Sequence, residues 1–358
     1  MAEIPIAKAD PKDLKKKPAP GAQLGFGKIF TDYLFLMDYR KGEGWKNTRI
    51  EPYKPFSMDP AALVLHYGQE IFEGLKAYRW ANGDIYLFRP RKNYERMNRS
   101  AKRLCLPEID VDQAIEATRQ LVRLEKDWVP AAPGASLYIR PNMIATEAAL
   151  GVQVSKECLF YIMLGPVGAY YPQGFNPVDI YLEEKYIRAA RGGLGEAKTS
   201  ANYAASLLAQ EEAHEKGFTQ VLWLDAIERK YLEEVGTSNI FLYIGDEVVT
   251  PPLGGTILPG ITRDSVLHIC RNWEMKVSER MVSLDEAVSG LESGKVKEIF
   301  ASGTAAVISP VGKLAYKGKD YVINQGKVGP LAQKLYDTIM GIQYGKTQDP
   351  YGWMVKVT

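Results

Sequence analysis

Apolar residues fall into two kinds of run along the chain. Short aromatic and aliphatic runs, typical of β-strands, occur in the first half at 32–39, 83–90, 135–144 and 157–168. Between them, segment 110–129 places Ile115, Thr118, Leu121 and Val122 close to helical spacing. The first half is therefore predicted to contain mostly strands with some helix.

The second half follows segment 172–179, a predicted linker punctuated by proline and glycine. Strands are predicted at 178–184 and 219–225, with a hairpin at 238–252 that turns at Gly245. Helices are predicted at about 203–216, after Gly260, and at about 284–292 and 329–342.

This order of elements predicts a mixed α+β or α/β protein of two domains, with a ligand in the cleft between them. The predicted parts are an N-terminal tail at 1–24, a small domain at 25–171, the linker at 172–179 and a large domain at 180–358. The Lys15–Lys17 run of the tail is expected to be solvated.

Composition and charge exclude several classes of protein. The 358 residues carry a formal net charge of +2, which is too balanced to predict binding to nucleic acid or to an anionic membrane. No apolar run reaches the roughly 20 residues that cross a bilayer, and the N-terminus has no signal-peptide pattern. Three cysteines and three histidines lie too far apart for a metal site or a disulfide framework. A cytoplasmic protein without a metal is expected.

Lys198 stands at the end of a glycine-rich turn, among the small residues Gly195, Ala197, Ser200 and Ala201. One interpretation is a loop lysine in a tight turn, which the local sequence alone favours. The other is an amine that forms a Schiff base, because such an amine must be partly desolvated and reachable by a flat ring.

A pair of carboxylates, Glu233 and Glu234, precedes a second small-residue stretch, Gly236-Thr237, inside a strand-like pattern. Glycine in a strand can mark the close approach of another backbone or of a ligand. The alternative interpretation is a bulge at a sheet edge, in which case both carboxylates would be solvated. Because adjacent strand residues face opposite sides, only one of the two carboxylates can face a cationic ring nitrogen.

Two turns have features of phosphate-binding loops. At 257–269 a Pro-Gly turn leads into a helix, whose first N–H groups favour an anion. At 300–311 a small-residue turn offers the hydroxyls of Ser302 and Thr304. Each signal is weak alone, and the chain has no Walker-type loop.

Taken together, eight motifs resemble the branched-chain amino-acid aminotransferases, which are pyridoxal-phosphate enzymes of fold class IV. They run in the family's order from about Gly25 to Tyr344: HYGQEIFEGLKAYR, LFRPRKNYERMNRSAKRLCLP, SLYIRP, GPVGAYY, EAKTSANYAASLLAQ, EVGTSNIF, ILPGITRDS and SGTAAVISPV. The resemblance implies a fold like that of D-amino-acid aminotransferase, with pyridoxal 5'-phosphate held at the domain interface in the large domain. It also implies reversible, ping-pong transamination of leucine, isoleucine and valine with 2-oxoglutarate.

The resemblance assigns roles around the cofactor residue by residue. Lys198 would form the Schiff base and carry the proton from Cα, Tyr203 would bond to the ring's phenolic oxygen, and Glu234 would pair with the pyridine nitrogen. The residues implied for the phosphate are the N–H groups of Ile261 and Thr262, the hydroxyl of Thr304, and Arg96. Arg99 and Arg103 lie close to Arg96 in sequence, and only the resemblance selects among the three.

The resemblance likewise implies a substrate site. Its aromatic wall would be Phe26, Tyr67, Phe72, Tyr138 and Tyr170, although any one tyrosine of the 21 could be a core residue instead. Arg140 would bind the side-chain carboxylate of glutamate and otherwise keep a partner such as a tyrosine hydroxyl. Thr237 and the N–H of Ala305 would hold the α-carboxylate. Val152 would reach the site from a partner subunit of a homodimer.

Two other readings stay open at this point. The same fold could serve a D-amino-acid aminotransferase or an enzyme like aminodeoxychorismate lyase, although the SLYIRP and GPVGAYY motifs favour neither. A different class is a non-catalytic phosphate-binding module, against which the presence of Lys198, Tyr203 and Glu234 argues.

Overall fold

A computed structural model describes residues 3–19, 21–168 and 174–358. Its strands are β1 (Tyr33–Arg40), β2 (Gly44–Pro52), β3 (Glu70–Phe72), β4 (Leu75–Arg79), β5 (Ile85–Phe88), β6 (Ser136–Ala145), β7 (Glu157–Val167), β8 (Val178–Leu182), β9 (Gln220–Leu224), β10 (Leu232–Val235), β11 (Ser238–Ile244), β12 (Glu247–Thr250), β13 (Lys276–Glu279), β14 (Val296–Gly303), β15 (Val307–Tyr316), β16 (Lys319–Val322) and β17 (Met354–Lys356). Its helices are α1 (Leu63–Tyr67), α2 (Pro90–Arg103), α3 (Val111–Leu124), α4 (Ser200–Ala204), α5 (Leu207–Glu215), α6 (Ile261–Asn272), α7 (Leu284–Glu292) and α8 (Pro330–Gln343).

The described residues form two compact units. Unit 1 comprises Met1–Pro172, Ala197–Ser200 and Gly341–Thr358, and unit 2 comprises Gln173–Glu196 and Ala201–Met340. The C-terminal end, predicted to belong to the second domain, thus groups with unit 1. The reason is that β17 pairs antiparallel with β5, which adds the last strand of the chain to the sheet of unit 1. The remaining domain limits stay predictions.

Lys15, Lys16 and Lys17 of the N-terminal segment are exposed, as predicted, although the segment is also anchored to the rest of unit 1 at a few points. Ile4 is buried, and the N–H of Ala7 donates to the carbonyl of Ile50 at 2.9 Å. Lys15 Nζ donates to the carbonyl of Thr31 at 2.7 Å. The contacts that anchor the segment are therefore the buried Ile4 side chain, the backbone of Ala7 and the Lys15 amine.

Unit 1 is built on one eight-stranded sheet. The strand order is β17-β5-β4-β6-β7-β1-β2, and β3 pairs separately with β6. Helices α2 and α3 contribute to its main apolar core, and Leu121 and Val122 of α3 are fully buried there as their spacing predicted. Long antiparallel pairing of β6 with β7 fixes which side chains of β6 share a face.

Unit 2 is built on a nine-stranded mixed sheet. Strand β10 pairs with both β9 and β11, so β10, β9, β8, β15, β14 and β11 form a closed ring. The predicted hairpin is β11–β12, where Ile244 pairs with Glu247 and Gly245 has a positive φ of 64°. Closing the ring fixes β10, the strand that carries both candidate carboxylates.

The helix predicted at 203–216 is two helices, α4 and α5. The N–H and hydroxyl of Ser206 both bond to the carbonyl of Tyr203, at 3.1 and 2.8 Å. This local bonding competes with continuous helix, since serine hydroxyls offer the backbone an alternative partner.

Among the described residues, no helix is long and apolar enough to cross a membrane. The same residues contain no group of three or more histidine, cysteine or acidic side chains arranged to hold a metal ion.

Candidate active site

The backbone around Lys198 is fixed to unit 1 at three points. The N–H of Lys198 donates to Ser100 Oγ at 2.9 Å, and its carbonyl accepts from the N–H of Phe72 at 3.0 Å. The next residue, Thr199, is fully buried and donates from Oγ1 to the carbonyl of Glu70 at 2.7 Å. The Lys198 side chain is half-buried, with Nζ 4.9 Å from the centroid of the Phe72 ring. A lysine held in this way can present its amine in one direction.

The small residues near Lys198 have more than one physical cause. A side chain at Gly195 would meet the carbonyl oxygen of Thr256 at 2.3 Å and the Ala189 side chain at 2.7 Å. Gly195 is therefore required by packing within unit 2, where the chain itself fills the space. For this glycine, the interpretation as part of a tight turn is the one that the packing supports.

A buried ion pair lies in unit 1 next to the Lys198 segment. Arg96 Nε and Nη2 each donate to one oxygen of Glu73 at 2.8 Å, and Asn93 Nδ2 donates to Glu73 Oε2 at 2.9 Å. Burial raises the pKa of Glu73. Arg96, and to a smaller extent Lys198, lower it by more than burial raises it, so the pKa of Glu73 lies below its ordinary value. Glu73 is thus a carboxylate that holds Arg96 in place.

Arg96 differs from its two neighbouring arginines in its burial. Arg96 is 3% exposed, whereas Arg99 and Arg103 are exposed. A guanidinium has five N–H donors, and the bidentate pair with Glu73 uses two of those of Arg96. The role of Glu73 was missed from the sequence, although it lies inside the FEGLK motif.

Four predicted substrate residues come together on unit 1. Arg140 lies 4.7 Å from the Phe72 ring centroid and 5.4 Å from that of Tyr138, and its Nη2 donates to Tyr138 Oη at 3.3 Å. Phe26 packs edge-on against Tyr138, with centroids 4.9 Å apart. Arg140 thus has the tyrosine hydroxyl partner that the sequence predicted. A side chain at Gly74 would meet Tyr138 Oη at 2.1 Å, so this close approach requires glycine.

Tyr67 and Val152 are exposed, and Tyr170 cannot be placed. Tyr67 is 43% exposed, and its hydroxyl donates to the carbonyl of Leu150. Val152, two residues further on, is 83% exposed. Tyr170 lies outside the described residues.

Glu234 is a buried carboxylate of unit 2 with several partners. It is 1% exposed, and Arg188 Nε lies 2.5 Å from its Oε2. Its Oε1 accepts from Asn239 Nδ2 at 2.8 Å and from the N–H of Leu258 at 3.2 Å. A cation and two donors around one carboxylate favour its charged form. Arg188 and Asn239 were missed from the sequence because periodicity indicates which face a residue occupies but not its partner.

Glu233 has different surroundings. Its Oε1 accepts from Thr256 Oγ1 at 2.5 Å. Burial raises its pKa, although Thr256 and the charge of Arg188 oppose the shift. The pairings confirm that the two neighbours occupy different environments, and neither is the solvated carboxylate of the alternative reading, since both are buried.

Gly236 and Thr237 form the two-residue turn between β10 and β11, where Val235 pairs with Ser238. Gly236 has a φ of 54°, and an added side chain would meet Gln220 Oε1 at 1.8 Å. The first position of such hairpin turns commonly needs positive φ, so the turn itself accounts for this glycine. Thr237 is exposed at the tip.

The predicted anion-binding turn at the start of α6 is joined to Glu234. Asn239, which donates to Glu234, also donates to the carbonyl of Leu258 at 2.9 Å. A side chain at Gly260, the residue preceding α6, would meet Asn239 Oδ1 at 2.0 Å. Ile261 and Thr262 begin the helix, and N–H groups of a first helical turn favour an anion.

The second predicted phosphate turn lies between β14 and β15. Thr304 and Ala305 are half-buried there. Ser302, opposite Asn239 in the β11–β14 ladder, has a buried hydroxyl without a hydrogen-bond partner in the described part of the chain. An unsatisfied buried hydroxyl calls for an explanation, and a bound acceptor supplies one. These donors and the carboxylate of Glu234 fit an anionic cofactor with a basic ring nitrogen.

Comparisons with known proteins agree with this chemistry. The family model "Amino-transferase class IV" matches residues 70–314. The chain belongs to the class IV aminotransferases. Branched-chain-amino-acid aminotransferase 2 of Bacillus subtilis (strain 168) is 54% identical over 343 residues, which cover 96% of this chain and 94% of that protein.

Solved structures of the family have the same fold. The branched-chain amino acid aminotransferase of Thermobaculum terrenum in its PLP form superposes with a TM-score of 0.75 at 25% identity, covering 93% of this chain and 100% of that one. The branched-chain amino acid aminotransferase of Escherichia coli gives a TM-score of 0.76 at 26% identity, covering 91% and 99%. A further branched-chain enzyme, complexed with N-(5'-phosphopyridoxyl)-L-glutamate, gives a TM-score of 0.72 at 25% identity, covering 90% and 98%. The predicted family and fold class are confirmed.

This class IV aminotransferase transfers the amino group of branched-chain amino acids and depends on pyridoxal 5'-phosphate. The relatives described above are all named branched-chain aminotransferases, which favours that substrate class over the D-amino-acid and lyase alternatives. Because the family consists of transaminases, the chain is an enzyme and not a non-catalytic phosphate-binding module.

Proposed function

We propose that Lys198 carries the cofactor and moves the proton at the substrate Cα. When bound, pyridoxal phosphate supplies an electron sink that makes the Cα–H acidic. Three backbone contacts fix the Lys198 segment, which supports a role that requires a precisely placed amine. Proton transfer by a positioned amine is ordinary general acid–base chemistry.

Glu234 is the anion that keeps the pyridine nitrogen protonated, and Tyr203 donates to the phenolic oxygen of the ring. Support for Glu234 comes from its burial and from Arg188 and Asn239, which hold it in one orientation as a carboxylate. Tyr203 is half-buried in α4, a short helix that begins two residues after Lys198.

The phosphate binds at the start of α6, on the N–H groups of Ile261 and Thr262, with Thr304 and Arg96 as further donors. The link from Gly260 through Asn239 to Glu234 supports this assignment, because it couples the two ends of one bound molecule. Arg96 is preferred to its exposed neighbours because only a desolvated, oriented guanidinium binds phosphate strongly.

Branched aliphatic side chains pack against Phe26, Phe72 and Tyr138, with Tyr67 and Tyr170 completing the wall. Arg140 binds the distal carboxylate of glutamate, and 2-oxoglutarate is the amino acceptor. The α-carboxylate is bound by Thr237 and the N–H of Ala305. Support for glutamate comes from the related branched-chain enzyme whose structure was solved with N-(5'-phosphopyridoxyl)-L-glutamate.

The enzyme works as a homodimer in the cytoplasm, and Val152 enters the site of the partner subunit. Three apolar residues of one loop support the dimer, since Leu150, Val152 and Val154 are 71%, 83% and 54% exposed. The free cysteines Cys105, Cys158 and Cys270 suit a reducing compartment.

Borohydride reduction of the holoenzyme followed by peptide mapping tests the central assignment. The label is expected on Lys198, and Lys198→Ala is expected to bind the cofactor without covalent attachment and to lose transamination. Lys76 is the informative competitor, because it is buried and burial lowers its pKa to about 8, which favours a reactive amine. A label on Lys76, or on any lysine other than Lys198, would contradict the proposal.

A further inference from the structure

A cavity of about 140 Å³ opens within unit 2 beside strand β10. Glu233 lines it, and Glu234 does not. None of the described residues proposed above to bind cofactor or substrate lines it either. The cavity is therefore distinct from the proposed active site, although the two contain consecutive residues of one strand.

Glu233, which lines this cavity, has one acceptor oxygen that is unsatisfied. The residue is 6% exposed, and its Oε2 is buried without a hydrogen-bond partner among the described residues. Buried carboxylate oxygens are normally paired, because leaving one unpaired costs the energy of desolvation. A ligand that donates a hydrogen bond or carries a positive charge would remove this cost.

Arg191 contributes a cation to the same cavity. It is exposed, and it forms no hydrogen bond or ion pair with the residues that the structure describes. Its charge acts on Glu233, whose pKa it lowers slightly against the dominant effect of burial. Because Arg191 and Glu233 line the same small cavity, they can bind opposite ends of one small molecule.

The remaining polar and apolar groups narrow the class of ligand. Both oxygens of Asp225 accept backbone N–H groups, so that carboxylate is already satisfied. Ile227, Pro251 and Met281 make part of the wall apolar. The volume of about 140 Å³ suits a short aliphatic molecule.

We propose that this cavity is a binding site for a small aliphatic α-amino acid, with its ammonium group on Glu233 and its carboxylate on Arg191. Transamination interconverts molecules of this class, so the site would sense a reactant or product of the reaction.

A chain of contacts leads from the cavity to the active-site carboxylate. Thr256 Oγ1 donates to Glu233, while the carbonyl of Thr256 accepts from Arg188 Nη1 at 2.6 Å. Arg188 Nε in turn lies 2.5 Å from Glu234 Oε2. A charge bound at Glu233 therefore acts on the groups that orient Glu234. This regulatory role rests on the function proposed for Glu234, whereas binding in the cavity does not.

Equilibrium dialysis with radiolabelled 2-aminoisobutyrate tests the site. This amino acid has no Cα–H and cannot be transaminated, and prior borohydride reduction of the holoenzyme prevents it from forming a Schiff base with the cofactor. We expect one saturable equivalent per chain in the wild type. Arg191→Met should weaken binding by about tenfold or more, because it removes a charge-assisted bond to the carboxylate.

Two further variants make the result decisive. Glu233→Gln should weaken binding to a similar extent, whereas Lys295→Met, which removes an exposed charge elsewhere in unit 2, should bind like the wild type. Absence of saturable binding, or an unchanged Kd in Arg191→Met, would overturn the proposal. Failure of the Lys198 assignment would appear separately, as a borohydride label on another lysine.

Discussion

Arg188 Nε lies 2.5 Å from Glu234 Oε2, and both side chains are almost completely buried. The neighbouring carboxylate, Glu233, accepts instead from the Thr256 hydroxyl. The arginine therefore distinguishes two chemically identical neighbours, because a buried charge persists only where a partner compensates its desolvation. Glu234 is thereby suited to act as a fixed negative charge.

Glu234→Gln should lower kcat by about 100-fold or more, as expected when a preorganised charge is removed from a catalytic site. The fold should persist, since glutamine keeps an acceptor for Asn239. Steady-state kinetics with leucine and 2-oxoglutarate, together with circular dichroism, measure both effects.

Glu233→Gln is the comparison for this change, and its kcat should fall much less than that of Glu234→Gln, because the proposed assignment does not place Glu233 against the ring nitrogen. If Glu233→Gln instead causes the larger loss of kcat, the other face of the strand faces the cofactor, and the assignment of Glu234 to the pyridine nitrogen is wrong.

The sequence predicted the helices and strands of the fold better than it predicted which charged side chains form pairs. Segment 110–129 identified α3 because an apolar stripe at helical spacing is a local property. Helix α2 was not predicted, since charged residues surround its buried Tyr94, Met97 and Ala101. Only the structure shows that these three apolar side chains share one buried face of the helix.

The pairings Glu73–Arg96 and Arg188–Glu234 join residues far apart in sequence, so local patterns contain no information about them. Lys198, Glu234 and the turn before α6 were found through family motifs combined with chemistry. At Gly195 and Gly236 the sequence left two interpretations open, because it does not distinguish neighbouring protein atoms from a ligand. In both cases atoms of the chain itself lie where a side chain would be.

Glu125 predicts a pH dependence of stability in unit 1. Burial raises its pKa from 4.5 to about 7, against the opposing bond from the N–H of Tyr33. The folded protein therefore binds more protons than the unfolded chain between these two values. Stability should fall as the pH rises through this window, by up to about 3 kcal/mol.

Glu125→Gln keeps an acceptor for Tyr33 and removes the ionisation. The variant should gain thermal stability over the wild type at pH 8 and lose that advantage near pH 4.5, as measured by calorimetric Tm at each pH. Asp127→Asn, an exposed change nearby, serves as the control. A constant difference between Glu125→Gln and the wild type at all pH values would contradict the prediction.

Arg140→Gln should impair glutamate and 2-oxoglutarate much more than leucine. Losing a charge-assisted bond costs ~1.5–3 kcal/mol, or roughly one to two decades in kcat/KM. Separate half-reactions with the two cofactor forms measure each substrate alone. Tyr138→Phe keeps the ring beside Arg140 and removes only the hydroxyl to which Arg140 donates, so its effect should be smaller. Equal losses for both substrate classes would mean that Arg140 supports the pocket or binds the α-carboxylate.

Val152 allows a test of the dimer that does not depend on measuring mass. Its side chain is 83% exposed, and we propose that it completes the site of the partner subunit. Val152→Asp should then greatly reduce activity, because a charge would enter an apolar substrate pocket. Val322→Asp, at another apolar residue that is 60% exposed, should leave activity nearly unchanged.

Mixing two inactive variants distinguishes action within a subunit from action across the dimer. In a mixed dimer of Lys198→Ala and Val152→Asp subunits, one site combines an intact Lys198 with an intact Val152 from its partner. Random exchange of equal amounts should therefore restore about a quarter of wild-type activity, since half of the dimers are mixed and each has one good site of two. If Val152 served its own subunit, every site would lack one of the two residues and mixing would restore nothing. Co-expression with two different affinity tags, followed by tandem purification, isolates the mixed dimer and should give half of the wild-type activity per dimer.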